Sequence, residues 1–184
     1  MDLKYHVIMP SESTRGLYSS SLNLSVDKGN NTILDEVLYE EVVPVRLSCQ
    51  TRDDKVGELT VKITMHTPQS PQNTDVQRML CLKFTDEADP YFLYTLEVNE
   101  GDFQHLKKDQ QLLVDFSTFP TKMVDYLNQC IACAQQESPK FVALLDAGAE
   151  GAPAVFSVIE TNPFKHLQHI ALRFRPGNDE AVKR

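Results

Sequence analysis

Two apolar runs in the last third of the chain alternate with a period of two and are interrupted at Asn162-Pro163. In the first run Phe156 and Val158 share one side, and in the second Ile170, Leu172 and Phe174 do. This alternation marks strands with one face buried. Asn-Pro is turn chemistry, because proline fixes φ and has no amide hydrogen. The stretch from Pro153 to Pro176 therefore predicts a long β-hairpin. Its tip carries Phe164, a large apolar side chain where polar residues are usual. Two readings are open: the ring folds back onto its own domain, or it is a knob for another molecule.

The same period recurs upstream. Val43, Val45, Leu47 and Cys49 alternate with Pro44, Arg46 and Ser48, and Leu59, Val61, Ile63 and Met65 alternate with Thr60, Lys62 and Thr64. With a charged turn at Thr51 to Gly57 between them, these predict an antiparallel hairpin. Leu80, Leu82 and Phe84 predict another strand, as do Phe92, Tyr94, Leu96 and Val98, and then Phe141 to Asp146. Asn99, followed by Glu100 and Asp102, has the chemistry of a helix N-cap. Pro120 suits the first turn of a second helix. Met123, Leu127, Cys130, Ile131 and Ala134 then form its apolar stripe. Leu112, Leu113 and Val114 predict a brief extended piece between the helices. The fold class is thus mainly β with α: about seven antiparallel strands in a sandwich or barrel, with a helix-turn-helix inserted after the fourth.

Residues 1–32 read as a poorly specified leader, with a short extended piece at Lys4 to Met9. Residues 33–177 form the folded head. Residues 178–184 read as the cut-off start of a helix or coiled coil.

Composition narrows function by exclusion. At 41% hydrophobic residues the chain can build a core. A net charge of -8 argues against nucleic acid and against an anionic membrane surface. No apolar run approaches the roughly 18 residues that span a bilayer. With no secretory signal in view, the four cysteines point to a reducing, intracellular setting with free thiols. Cys130 and Cys133 have C-x-x-C spacing, but in the second half of a helix the dipole disfavours a thiolate, and a zinc site lacks two ligands. They read as core residues. His166 and His169, three apart on a strand, fall on opposite faces and do not share a metal. His6, His66 and His105 have no evident partner. The Asp86, Glu87, Asp89 cluster lacks calcium-loop spacing. Nothing pairs a nucleophile with a base, and no phosphate-binding glycine loop is present. The chain reads as a binding or scaffold module, not an enzyme, with no cofactor and no metal.

Three stretches carry a resemblance. They are Asp89-Pro-Tyr-Phe-Leu-Tyr-Thr-Leu leading into Asp102-Phe-Gln-His-Leu-Lys, then Gln111-Leu-Leu-Val-Asp-Phe-Ser-Thr-Phe-Pro-Thr-Lys, then Val158-Ile-Glu-Thr-Asn-Pro-Phe-Lys-His-Leu-Gln-His-Ile-Ala-Leu with Pro176-Gly-Asn-Asp. Together they resemble the N-terminal head of the centriolar cartwheel family, spindle-assembly-abnormal protein six, from about Leu38 to the end. The resemblance implies a β-sandwich head like that of the XRCC-four repair scaffold. It implies that the head associates with copies of itself, that Phe164 enters an apolar pocket of a neighbouring head, and that Asn162, Pro163, Lys165 and His166 surround that knob. It implies a following coiled coil, a ring at the hub of the centriole or basal-body cartwheel, and a cytoplasmic, cytoskeletal location with other centriolar proteins as possible partners. A shorter SAS-six-like paralogue, tied to apical or flagellar-base structures, shares the head. A DNA-repair scaffold head on the same fold is the remaining alternative, and the acidic balance argues against it.

Overall fold

The structure, a computed structural model, describes residues 21–26, 32–49, 52–69, 77–148 and 152–177. The strands are β1 (Ser21–Val26), β2 (Thr32–Cys49), β3 (Arg52–Pro68), β4 (Met79–Thr85), β5 (Leu93–Asn99), β6 (Phe141–Ala147), β7 (Ala154–Thr161) and β8 (His166–Pro176). Helices α1 (Glu100–Asp109) and α2 (Phe119–Cys133) lie between β5 and β6. The sheet order is β1-β2-β3-β4-β5-β8-β7-β6, and β2 also pairs with β6. That last pairing closes β2 to β8 into a barrel.

The expectation of a mainly β fold with an inserted helix pair holds, with differences of detail. The sheet has eight strands rather than seven. The extra one, β1, lies in the stretch read as leader. The barrel closes through a parallel pair, Val45–Cys49 beside Ala143–Ala147, where only antiparallel pairs were expected. A long β2 makes this possible, because its first half pairs with β1 and its second half with β6. The charged segment read as a turn at 51–57 is mostly strand: Val45 pairs with Gly57 and Cys49 with Arg52. Exposed charges such as Asp54 and Lys55 suit the solvent face of a strand as well as they suit a turn. The expected piece at 4–9 and the start of a C-terminal helix at 178–184 lie outside the described residues.

Alternation fills the core as anticipated. Val43, Val45, Leu59, Val61, Ile63, Leu80, Leu82, Phe84, Phe156, Val158, Ile170, Leu172 and Phe174 are all buried. Phe84 sits at its centre, with ring centroids 4.9 Å from Phe156 and 4.7 Å from Phe174. A second aromatic group joins the two helices to each other, with Phe103 of α1 5.0 Å from Phe119 of α2.

β5 and β8 touch only at Tyr94–Pro176 and Thr95–Arg175. Gly177 makes the close approach there: its N–H donates to the Leu93 carbonyl at 2.7 Å, and a Cβ on it would lie 2.4 Å from Leu93. Beyond that point the seam opens and the helical insertion covers it. Gln110, just after α1, donates from Nε2 to the Ala171 carbonyl at 2.6 Å and accepts the Ala171 N–H at 2.9 Å, standing in for a strand partner. Asn99 caps α1, its Oδ1 accepting the Asp102 N–H at 2.8 Å. On α2 the buried face is Phe119, Pro120, Met123, Val124, Leu127 and Cys130. Ile131, placed in the stripe by its spacing, is 37% exposed instead. Leu112 to Val114 form no strand and connect the helices as a loop.

Candidate functional site

The hairpin tip is built by Asn162. Its Oδ1 accepts the N–H groups of Phe164 and Lys165, each at 2.9 Å, and its own N–H donates to the Lys165 carbonyl at 3.1 Å. With Pro163 fixing φ between them, the loop is held by its own short-range bonds. At the base, Thr161 Oγ1 lies 2.9 Å from His166 Nδ1. Phe164 is 96% exposed and touches none of its own core. The fold-back reading of this ring is therefore set aside. Lys165 and His166 flank it and are exposed.

Two clefts flank the hairpin. One, of about 400 Å³, is lined by Arg46, Glu137, Val142, Leu144, Ile159 and His166 and is mixed in polarity. The other, of about 300 Å³, is walled largely by apolar groups: Leu112, Leu113, Val114, Met123, Tyr126 and Ile170. It lies where the helix-connecting loop, α2 and β8 meet. A dry cavity of about 150 Å³ accepts a benzene ring, so the second cleft admits a phenylalanine side chain. Leu113, at its mouth, is 97% exposed.

A β-bulge shapes this cleft. β7 and β8 pair regularly from Ala154–Phe174 to Val158–Ile170, then shift so that Ile159 pairs with Gln168. The extra residue is His169. A bulge re-aims side chains, and this one turns His169 against α2. Its ring stacks on Tyr126 at 4.7 Å, and its Nε2 lies 2.7 Å from Glu160 Oε2. Lys140 approaches the other Glu160 oxygen at 3.3 Å. The hydrogen bond from His169, helped by Lys140, holds the Glu160 carboxyl below its ordinary range. Burial pushes the Tyr126 hydroxyl up. His166 and His169 thus engage different partners. His66, read as unpartnered, has one: its Nδ1 lies 2.5 Å from Asp35 Oδ1 across β2 and β3.

Burial pushes the Cys81 thiol up. Cys130 faces the core near the end of α2, and burial pushes it up to about 12. Among the described residues no three potential ligands cluster for a metal ion, and no helix is long and apolar enough to cross a membrane.

The sequence singles out Phe164 at the tip but marks as site residues none of those that line the apolar cleft. Leu112, Leu113, Tyr126 and His169 carry no site role there. One signal was available: three consecutive apolar residues at 112–114 cannot all face one core, so at least one had to face outward.

Residues 37–174 match the family model described as the centriolar protein SAS N-terminal domain. The chain is 39% identical over 154 residues to the spindle assembly abnormal protein 6 homolog of Mus musculus, covering 82% of this chain and 23% of that protein. It is 40% identical over 152 residues to the Gallus gallus homolog, covering 81% of this chain and 23% of that protein. The chain therefore spans about a quarter of the length of these relatives. Among solved structures, an N-terminal fragment of Leishmania SAS-6 that contains part of its coiled-coil domain superposes with a TM-score of 0.69 at 27% identity, over 82% of this chain and 83% of that one. The family is a structural, centriolar one and not an enzyme family. On this sequence match and this fold, the chain belongs to the SAS-6 family and is its N-terminal head domain.

Proposed function

We propose that this head is a homotypic assembly module: Phe164 of one copy enters the cleft walled by Leu112, Leu113, Val114, Met123, Tyr126 and Ile170 of a second copy, and the contact is returned. The observation that carries this is a fully presented phenylalanine on a loop whose hydrogen bonds fix its direction, beside an apolar cleft it does not fill itself. Knob and cleft both involve the β7–β8 hairpin, which is what an isologous two-fold contact requires. Asn162 and Pro163 aim the ring, while Lys165 and His166 form the rim.

Burying one such ring contributes roughly 1.5–3 kcal/mol, and symmetry doubles it. Lost translational and rotational freedom offsets much of that gain. An isolated pair of heads then binds weakly, at about micromolar or poorer, near -8 kcal/mol at most. Weak contacts suit a closed ring if a following coiled coil joins chains in pairs, because tethering raises the effective concentration of the next head. Inclusion of coiled coil in the matched Leishmania fragment supports that arrangement. In this reading the ring is the hub of the centriole or basal-body cartwheel.

Sedimentation equilibrium over a concentration series, for the native chain and Phe164→Glu, tests the proposal. Self-association is expected to weaken at least about tenfold in the variant, with an unchanged circular dichroism spectrum. Undiminished association by a folded variant would refute it.

A further inference from the structure

Among the described residues, β1 (Ser21–Val26) is the outermost strand and is hydrogen-bonded to β2 on one side only. Exposed edge strands invite pairing, and proteins blunt them with lysine, proline or bulges. β1 has none of these. Its sequence, Ser-Leu-Asn-Leu-Ser-Val, carries no charge in a chain of net charge -8, and its register with β2 is unbroken. Leu22, Leu24 and Val26 line one face and are 61%, 72% and 64% exposed. The strand is also fastened. Asp35 on β2 accepts a hydrogen bond from Ser25 and faces His66 of β3 at 2.5 Å, tying three strands in one polar row. β1 lies wholly before residue 37, where the match to the family model starts.

We propose that β1 is a second self-association surface, pairing antiparallel with β1 of another copy about a two-fold axis at Leu24. The occupant follows from charge and parity. An uncharged strand is where two acidic copies meet with least repulsion. Cross-strand partners in a continuous sheet share a face, so a two-fold axis normal to the sheet must centre on a residue rather than between two. Centring on Leu24 places Leu24 against Leu24, Leu22 against Val26, and Asn23 against Ser25. The apolar strip becomes continuous across both copies. One six-residue edge is small beside the roughly 1,200 Å² of a stable interface. The contact therefore acts with another, through valency. It is separate from the Phe164 contact: β1 occupies the first half of β2, whereas the barrel strand that neighbours the hairpin, β6, occupies the second.

The test uses the full chain carrying Phe164→Glu, so that failure of the hairpin contact cannot be mistaken for failure of this one. Leu24→Cys and Leu22→Cys are each equilibrated in glutathione buffer and run on non-reducing gels. Leu24→Cys is expected to form a disulfide dimer at least about tenfold more readily than Leu22→Cys, since only residue 24 meets its own copy. Leu24→Lys, in the chain with Phe164 intact, is expected to raise the concentration needed for higher oligomers at least about tenfold, with unchanged circular dichroism. Equal cross-linking at 22 and 24, or unaltered oligomerisation of Leu24→Lys, would overturn the proposal. So would dimerisation that emerges only after deletion of residues 1–20, because the strip would then belong to the chain's own beginning.

Discussion

Leu113 separates folding from assembly more cleanly than any other residue of the cleft. It is 97% exposed, so it contributes little to the isolated head. Leu113→Ala should change monomer stability by less than about 0.5 kcal/mol and the melting temperature by under about 2 °C. If Leu113 walls the socket, the same change removes three carbons from a contact with Phe164. At about 0.8 kcal/mol per buried group that is about 2.4 kcal/mol, or about 5 kcal/mol over two symmetric sites. A position at the mouth is only partly covered, and halving the sum gives an expected loss of about 50-fold in association. The assay is sedimentation equilibrium on the native chain, Leu113→Ala, Phe164→Ala and the double variant. Side chains that touch across the interface should show a coupling energy of about 0.5–3 kcal/mol. Two outcomes would refute the socket assignment: unchanged association of Leu113→Ala, or additivity of the two substitutions within about 0.5 kcal/mol.

Four further expectations follow from the same geometry. Asn162→Ala keeps Phe164 but removes both hydrogen bonds that aim it, so association should weaken at least several-fold while monomer melting hardly moves; equal affinity by sedimentation would mean that aim is irrelevant. Phe84→Ala leaves a cavity between Phe156 and Phe174 and should cost about 3–5 kcal/mol in urea titration, or roughly 10 °C in melting temperature. With Cys130 pushed up to about 12, its thiolate fraction at pH 8 is about 10⁻⁴, so a mass-resolved alkylation series should find it modified only after unfolding. Burial raises the Asp35 carboxyl, but the hydrogen bonds from His66 and Ser25 and the charge of His66 outweigh it and leave the value depressed. A depressed carboxylate stabilises the fold above its unfolded value of about 3.9 and loses that contribution as pH falls through the lower folded value. The difference in melting temperature between native chain and Asp35→Asn should thus be full at pH 7 and shrink below about pH 4.

Local features were legible because their physics is local. The Asn99 cap, the proline at the start of α2 and the alternating strands around Phe84 and Phe156 each follow from a few neighbouring residues. Closure of the barrel was not legible in the same way. Nothing in Val43 to Cys49 says that its second edge meets β6 in parallel, since pattern reveals which face is buried but not which strand lies alongside. β1 escaped for the opposite reason. Its leucines alternate as in any strand, yet they face solvent, and amid a serine-rich stretch they read as leader. Ile131 and Cys130 are adjacent, and spacing alone cannot decide which of two neighbours on a helix meets the core.

The hairpin shows how one residue limits such reading. Period two predicts that residues 166, 168, 170, 172 and 174 share a face. The chain obeys this from Ile170 onward and breaks it at His169, where the bulge inserts one position. Below the bulge, Ile170 faces the core; above it, Gln168 pairs with Ile159 on the outer side. This single insertion turns His169 onto Tyr126 and gives the cleft its inner wall. An exposed phenylalanine on a turn is a feature of a few neighbouring residues, so a sequence declares it. The cleft needs residues 110–114, α2 and a bulged strand to converge, and that convergence exists only once the barrel has closed.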